Sequence, residues 1–133
     1  MIRGMTRDDL ACVKALMQSI PGFWHDAWND GTPAKALASA GDLAFVYETD
    51  GEIVGFIFAH DLGFRAYLSE LAVAEKARGE GVGRALLEHV EQILRERGCE
   101  LIVADVWKSA EAFYRGLGWT QPDVILLRKG LNE

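Results

Sequence analysis

Two cysteines, three prolines, no long apolar run and a deficit of positive charge limit this 133-residue chain at the outset. Cys12 and Cys99 make neither a disulfide framework nor a metal-ligand spacing. Each falls inside an apolar pattern, so both are expected as reduced, buried thiols, with no metal site. The opening Met1-Ile2-Arg3-Gly4-Met5-Thr6 lacks the apolar core of a signal peptide, and no stretch approaches membrane-spanning length. A cytoplasmic protein with no membrane partner is the expectation. Lysine and arginine number 14 against 20 acidic residues, a formal charge of −6. That sign is wrong for a duplex-binding domain, so no nucleic-acid partner is expected. It does suit a cationic substrate such as an amine. Repeats, linkers and low-complexity tracts are absent, which leaves one domain over residues 1–133.

The pattern that remains is mixed α/β. Met1 to Met5 reads as an edge strand and Thr6 as a helix N-cap, with Asp8 and Asp9 in the first turn. Leu10, Val13, Leu16 and Met17 recur at helical spacing up to Pro21-Gly22, and a second helix is expected over about Thr32 to Ala40. Leu43 to Thr49 and Ile53 to His60 are strands joined by Asp50-Gly51, a hairpin signal because both residues tolerate positive φ. Phe64 to Val73 is a third strand of this meander. Val82, Leu86, Val90, Ile93 and Leu94 then mark one face of a helix from about Gly81 to Arg97, with Gly98 as its cap. Leu101 to Val106 is a short buried strand, Ser109 to Leu117 a helix, and Trp119 to Leu127 one or two closing strands. The expected order is β-α-α-β-β-β-α-β-α-β.

The informative junction is Arg78-Gly79-Glu80-Gly81-Val82-Gly83-Arg84, between a strand ending at Val73 and the long helix. Its glycines let successive backbone N–H groups converge at a helix N-terminus, where the dipole favours an anion, and two arginines flank them. A pyrophosphate fits that concavity. A P-loop is excluded because no Lys-Ser/Thr follows, and a dinucleotide fingerprint because the glycines fall as GxGxG rather than GxGxxG.

These residues match the (Arg/Gln)-x-x-Gly-x-(Gly/Ala) signature of the GNAT N-acetyltransferase superfamily, which the chain resembles. Leu71-Ala72-Val73 looks like that family's fourth strand, and Ala112-Phe113-Tyr114-Arg115-Gly116-Leu117-Gly118-Trp119 resembles its later FY-x-x-x-GF segment. The resemblance covers about Leu43 to Leu127. It implies a GNAT-type fold, with a mixed, mostly antiparallel sheet flanked by helices. It implies acetyl-CoA as the cofactor, held by Leu71, Ala72, Val73 and the stretch Arg78, Gly79, Glu80, Gly81, Val82, Gly83 and Arg84. The activity implied is acetyl transfer by direct attack of a small-molecule or peptide amine. One departure is Trp107, where the family often carries an Asn that touches the pantetheine arm.

The resemblance also assigns roles. The pantetheine would lie where the fourth and fifth strands splay, with the Leu71 N–H as oxyanion donor and Tyr114 as general acid. Glu70 is the candidate base or amine-orienting carboxylate; the alternative is a solvated strand residue. An alkylammonium, with a pKa of about 10.4, must lose its proton somewhere. His25 and His60 compete for that role, His60 as a turn residue and His25 within the Phe23-Trp24-His25-Asp26-Ala27-Trp28 cluster. Phe23, Trp24, His25 and Trp28 are the candidate acceptor-binding residues, and Asp26 is expected to converge on Glu70. A non-catalytic acyl-CoA-binding or sensing module remains the rival reading, and a homodimer is left open.

Overall fold

The computed structural model describes residues 1–132. Five strands form one sheet in chain order: β1 (Ile2–Gly4), β2 (Ala44–Thr49), β3 (Glu52–Asp61), β4 (Ala66–Val73) and β5 (Ile102–Val103). The first three junctions are antiparallel and β4–β5 is parallel. The β2–β3 turn is the expected hairpin, with Asp50 at φ 53° and Gly51 at φ 77°.

Helices cover both faces. A short 3-10 turn at Arg7–Asp9 leads into α1 (Leu10–Ser19); α2 (Gly31–Ala40) follows, then α3 (Val82–Glu96) and α4 (Glu111–Gly116). The period-2 alternation of β3 divides the core. Ile57 and Ala59 join Leu86, Leu87, Val90 and Leu94 of α3, while Phe56 and Phe58 join Val13, Leu16 and Met17 of α1. Phe56, Phe58, Ile57, Leu86 and Leu87 are fully buried, and each such side chain contributes roughly 1.5–3 kcal/mol. Gly55 sets how close α3 comes to the sheet: a Cβ there would meet Val82 Cγ1 at 2.8 Å.

At the N-terminus, Asp9 is buried and accepts a two-pronged pair from Arg3 (2.8 Å each) and the Thr6 N–H (2.8 Å). The Arg3 bonds, with help from Thr6, hold the Asp9 carboxyl down at about 2.

Three expectations need correcting. No strand forms after Trp119: residues 119–132 carry no regular structure, so the closing strands are absent among the described residues. Cys12 is exposed rather than buried, because Val13, Leu16 and Met17 take the inward face of α1; Cys99 is half-buried. His60 is not a turn residue but a buried member of β3.

Candidate active site

The glycine loop carries the backbone geometry that its composition suggests. Gly79 and Gly81 sit at φ 81° and 83°, in the left-handed region that side chains resist. Above both, the space a Cβ would enter is open. Gly81 is the N-cap of α3, and the first helical bond runs from the Ala85 N–H to its carbonyl at 2.9 Å. The amides of the preceding turn therefore have no helical acceptor. Gly83 is required for a different reason: its Cβ would lie 3.3 Å from Phe113 Cζ, so the lack of one lets α4 pack against the start of α3. Arg78 Nε reaches back to the Val73 carbonyl (3.4 Å), while Arg84 turns along the helix to Glu88 (3.2 Å).

Beside the loop, the sheet opens. Strands β4 and β5 pair only at Ala66↔Ile102 and Tyr67↔Val103, so β4 runs on to Val73 without a neighbour on that side. A bulge decides which backbone groups face the gap. Phe58 pairs with Glu70 and Ala59 with Leu68, leaving Ser69 unpaired and shifting the alternation by one. The Ala74 N–H then bonds Val54 on the β3 side. By the period of two, Leu71 and Val73 present their N–H and C=O groups to the gap.

This gap is part of one cavity of 890 Å³ that runs from Arg78, Gly79, Gly81 and Gly83, past Glu70 to Val73, to Phe23, His25 and Trp28. Its middle holds the candidate catalytic side chains Glu70 and Tyr114. Glu70 is buried enough that its carboxyl is pushed up to about 7, first by desolvation and then by the nearby charge of Asp105. Tyr114 lines the same cavity, and burial, reinforced by Glu70, raises its phenol to about 12. The ring is held edge-on by Phe113 (5.1 Å) and Trp119 (5.2 Å), and the Trp119 indole N–H is tied to Glu91 at 3.1 Å.

Two residues that the sequence did not single out belong to this group. Asp105, just past β5, lines the cavity and accepts a hydrogen bond from the Tyr67 hydroxyl. Burial, with Asp105 adding to it, lifts the Tyr67 phenol to about 12. The cavity thus has a cationic, amide-rich end at Arg78, a middle where two carboxylates sit close enough to affect each other, and an aromatic end at Phe23 and Trp28.

Not every expected residue arrives. Phe23, His25 and Trp28 line the cavity; Trp24 does not, standing edge-on to Trp28 (5.4 Å) with Lys14 over its ring (5.3 Å). Asp26 is absent from the lining, so the carboxylate facing Glu70 is Asp105 instead. Glu80 and Arg84 also lie outside the lining. His60 is removed from the contest for a base. Its Nδ1 pairs with the Ser39 hydroxyl (3.0 Å) and its Nε2 with that of Ser69 (2.7 Å), and burial lowers its pKa. Trp107 stands edge-on to Phe23 at 5.8 Å, an aromatic bridge between β5 and the segment after α1.

Known proteins share this fold. The model of the acetyltransferase (GNAT) family matches residues 13–119. A ribosomal-protein-alanine N-acetyltransferase from Escherichia coli superposes with a TM-score of 0.77 at 27% identity, over 89% of this chain and 76% of that one. Ard1 from Thermoplasma volcanium gives 0.80 at 23%, over 90% and 82%. An aminoglycoside acetyltransferase from an uncultured soil metagenomic sample, in complex with sisomicin, gives 0.71 at 18%, over 99% and 96%.

Proposed function

We propose that this chain, which belongs to the acetyltransferase (GNAT) family, transfers an acetyl group from acetyl-CoA to a cationic amine by direct attack. The observation that carries the reading is the continuity of one cavity. The glycine loop, the unpaired edge of β4, Glu70, Asp105 and Tyr114 all open into it.

The residues present fit a CoA-like ligand. The space above Gly79 and Gly81 is free of side chains, and the unbonded amides at the start of α3, with Arg78 beside them, would hold the pyrophosphate. When bound, acetyl-CoA supplies the thioester carbonyl that an amine attacks. The chain's own groups do the rest. Leu71 directs an N–H donor into the gap beside Glu70. The Glu70 carboxylate, with a pKa near the middle of the physiological range, accepts the proton of the incoming ammonium. Tyr114 keeps its proton at any ordinary pH, so its Oη can donate to the departing sulfur. Asp105, held by Tyr67, adds a second negative charge where the ammonium enters, and Phe23, Trp28 and Trp107 supply aromatic faces that attract a cation.

The related proteins act on a ribosomal-protein alanine and on an aminoglycoside. Both classes offer amines, and an entrance bearing two carboxylates suits either better than an alcohol or a thiol. The test is a panel of polycationic small molecules and peptide N-termini, followed by CoA release with acetyl-CoA. Tight CoA binding without transfer to any amine would instead mark a binding module.

A further inference from the structure

The bulge in β4 has no local cause. Tyr67-Leu68-Ser69-Glu70-Leu71 contains neither glycine nor proline, and none of these residues takes a positive φ. An extra residue interrupts the ladder and leaves its own backbone unpaired, so something outside the strand must favour it. The side chain of Ser69, the unpaired residue, supplies that. Its Oγ lies 2.7 Å from His60 Nε2 and 3.3 Å from the Phe58 carbonyl. The other ring nitrogen of His60, Nδ1, is 3.0 Å from the Ser39 hydroxyl near the end of α2. One imidazole therefore ties the extra residue of β4, across β3, to a helix.

His60 suits this task. It is buried, and a neutral imidazole has one donor and one acceptor nitrogen, which two hydroxyls complement in either order. Burial lowers its pKa, so the ring stays neutral and both bonds persist. Its face stacks on Tyr67, its partner in the β3–β4 ladder, at 6.4 Å and 28°. Tyr67 in turn holds Asp105. The imidazole thus touches two supports of the cleft: the bulge that precedes Glu70 and Leu71, and the ring that carries the second carboxylate.

We propose, resting on the acetyl-transfer reading of this cleft, that His60 is a positioning residue: through Ser69 it fixes the bulge, and so the direction of the Leu71 N–H and the seat of Glu70. Without that tie the strand can regain ordinary alternation by a one-residue shift, which turns every following residue to the opposite side. Leu71 would then direct its N–H toward β3 and not into the gap. A misplacement of about 1 Å costs on the order of 10² in rate, and the loss of one oxyanion donor about 10²–10³. The cradle at Gly79 and Gly81 is built on the start of α3 and does not depend on the tie.

The two ring nitrogens can be tested one at a time, because a glutamine amide reaches the place of Nε2 and an asparagine amide that of Nδ1. His60→Gln should keep the Ser69 tie and most of the turnover. His60→Asn keeps only the Ser39 tie and should lower kcat about 10²-fold, with CoA affinity by calorimetry little changed. Ser69→Ala should match His60→Asn, and the two combined should lose little more than either alone. Hydrogen exchange across residues 68–72 should quicken in the Asn and Ala variants and not in the Gln variant. Equal losses of kcat in His60→Gln and His60→Asn, or losses that track melting temperature alone, overturn the proposal and leave His60 a core residue. Wild-type turnover and exchange in Ser69→Ala overturn it too. Where His60→Asn fails to fold, Ser69→Ala carries the same expectation by itself. If the unaltered protein transfers acetyl to no amine, the catalytic reading fails, and the exchange pattern alone upholds or overturns the clamp.

Discussion

Glu70 is placed where its charge costs stability, and replacing it with glutamine should make the protein more stable and less active together. The cost follows from the carboxyl's displacement from 4.5 to about 7, which desolvation dominates and Asp105 increases. Between those values the native state retains a proton that the unfolded chain releases. Stability therefore falls as pH rises through this window and levels off above about 7. Fully buried, a carboxyl so displaced would cost about 3 kcal/mol; its partial contact with cleft water reduces this to about 1–2 kcal/mol. For a chain of this size, Glu70→Gln should then raise the melting temperature by roughly 4–8 °C at pH 8.5. At pH 5, near the bottom of the window, the gain should shrink to about a quarter of that. Activity should move the other way. The substitution removes the proton acceptor, so turnover falls most between about 7, above which Glu70 is ionised, and about 10.4, below which the amine is still protonated. Under about 7 the wild type loses its acceptor too and the difference narrows, and in more alkaline buffer the variant partly recovers. Thermal unfolding at the two pH values, beside a CoA-release assay, measures both. Equal stability gains at pH 5 and 8.5, or wild-type turnover with an unchanged pH profile, would refute the reasoning and return Glu70 to an ordinary strand position.

The fold was legible in the sequence wherever a local pattern had a single physical outcome. Asp50-Gly51 could only be a tight turn of positive φ, and Phe56-Ile57-Phe58-Ala59 divides between the two faces by the period of a strand. The glycines of residues 79–83 were readable because left-handed backbone and close helix packing both exclude side chains there. The misses have non-local causes. The bulge at Ser69 has no signature of its own, yet it turns Leu71 and Val73 toward the gap. Asp105 reaches Glu70 only because β5 pairs in parallel with the start of β4, a contact between distant parts of the chain. Its one local sign was a carboxylate directly after the apolar run of β5. His60 looked like a turn residue beside Asp61, but Ser39 and Ser69 satisfy both ring nitrogens and make its burial affordable. The closing strands expected over Trp119 to Leu127 do not form: the apolar run at Val124 to Leu127 is exposed and makes no backbone hydrogen bond among the described residues, so strand-forming composition alone was not enough.

Three further substitutions separate the roles assigned above. Tyr114→Phe keeps the ring between Phe113 and Trp119 and removes only the proton; turnover should fall on the order of 10²–10⁴ with little change in the Michaelis constant for acetyl-CoA, and unchanged turnover where chemistry is rate-limiting would assign the ring to packing. Gly81→Val forces a β-branched residue to φ 83° over the open cradle, so calorimetry should show CoA affinity lost in a folded protein, and unaltered affinity would remove the loop from the binding site. The most selective test is Asp105→Asn. The amide oxygen can still accept the Tyr67 hydroxyl bond, so the local geometry should survive while the charge disappears. Because Asp105 is the second cause of the raised Glu70 carboxyl, and desolvation the first, the acidic limb of kcat/KM should move below about 7 without returning to 4.5. The Michaelis constant for a cationic amine should rise at the same time, since one of the two charges at the entrance is gone. A structural role alone predicts lower stability and an unmoved limb. A limb that stays in place while the melting temperature falls would show that Asp105 acts on the fold and not on the proton held by Glu70.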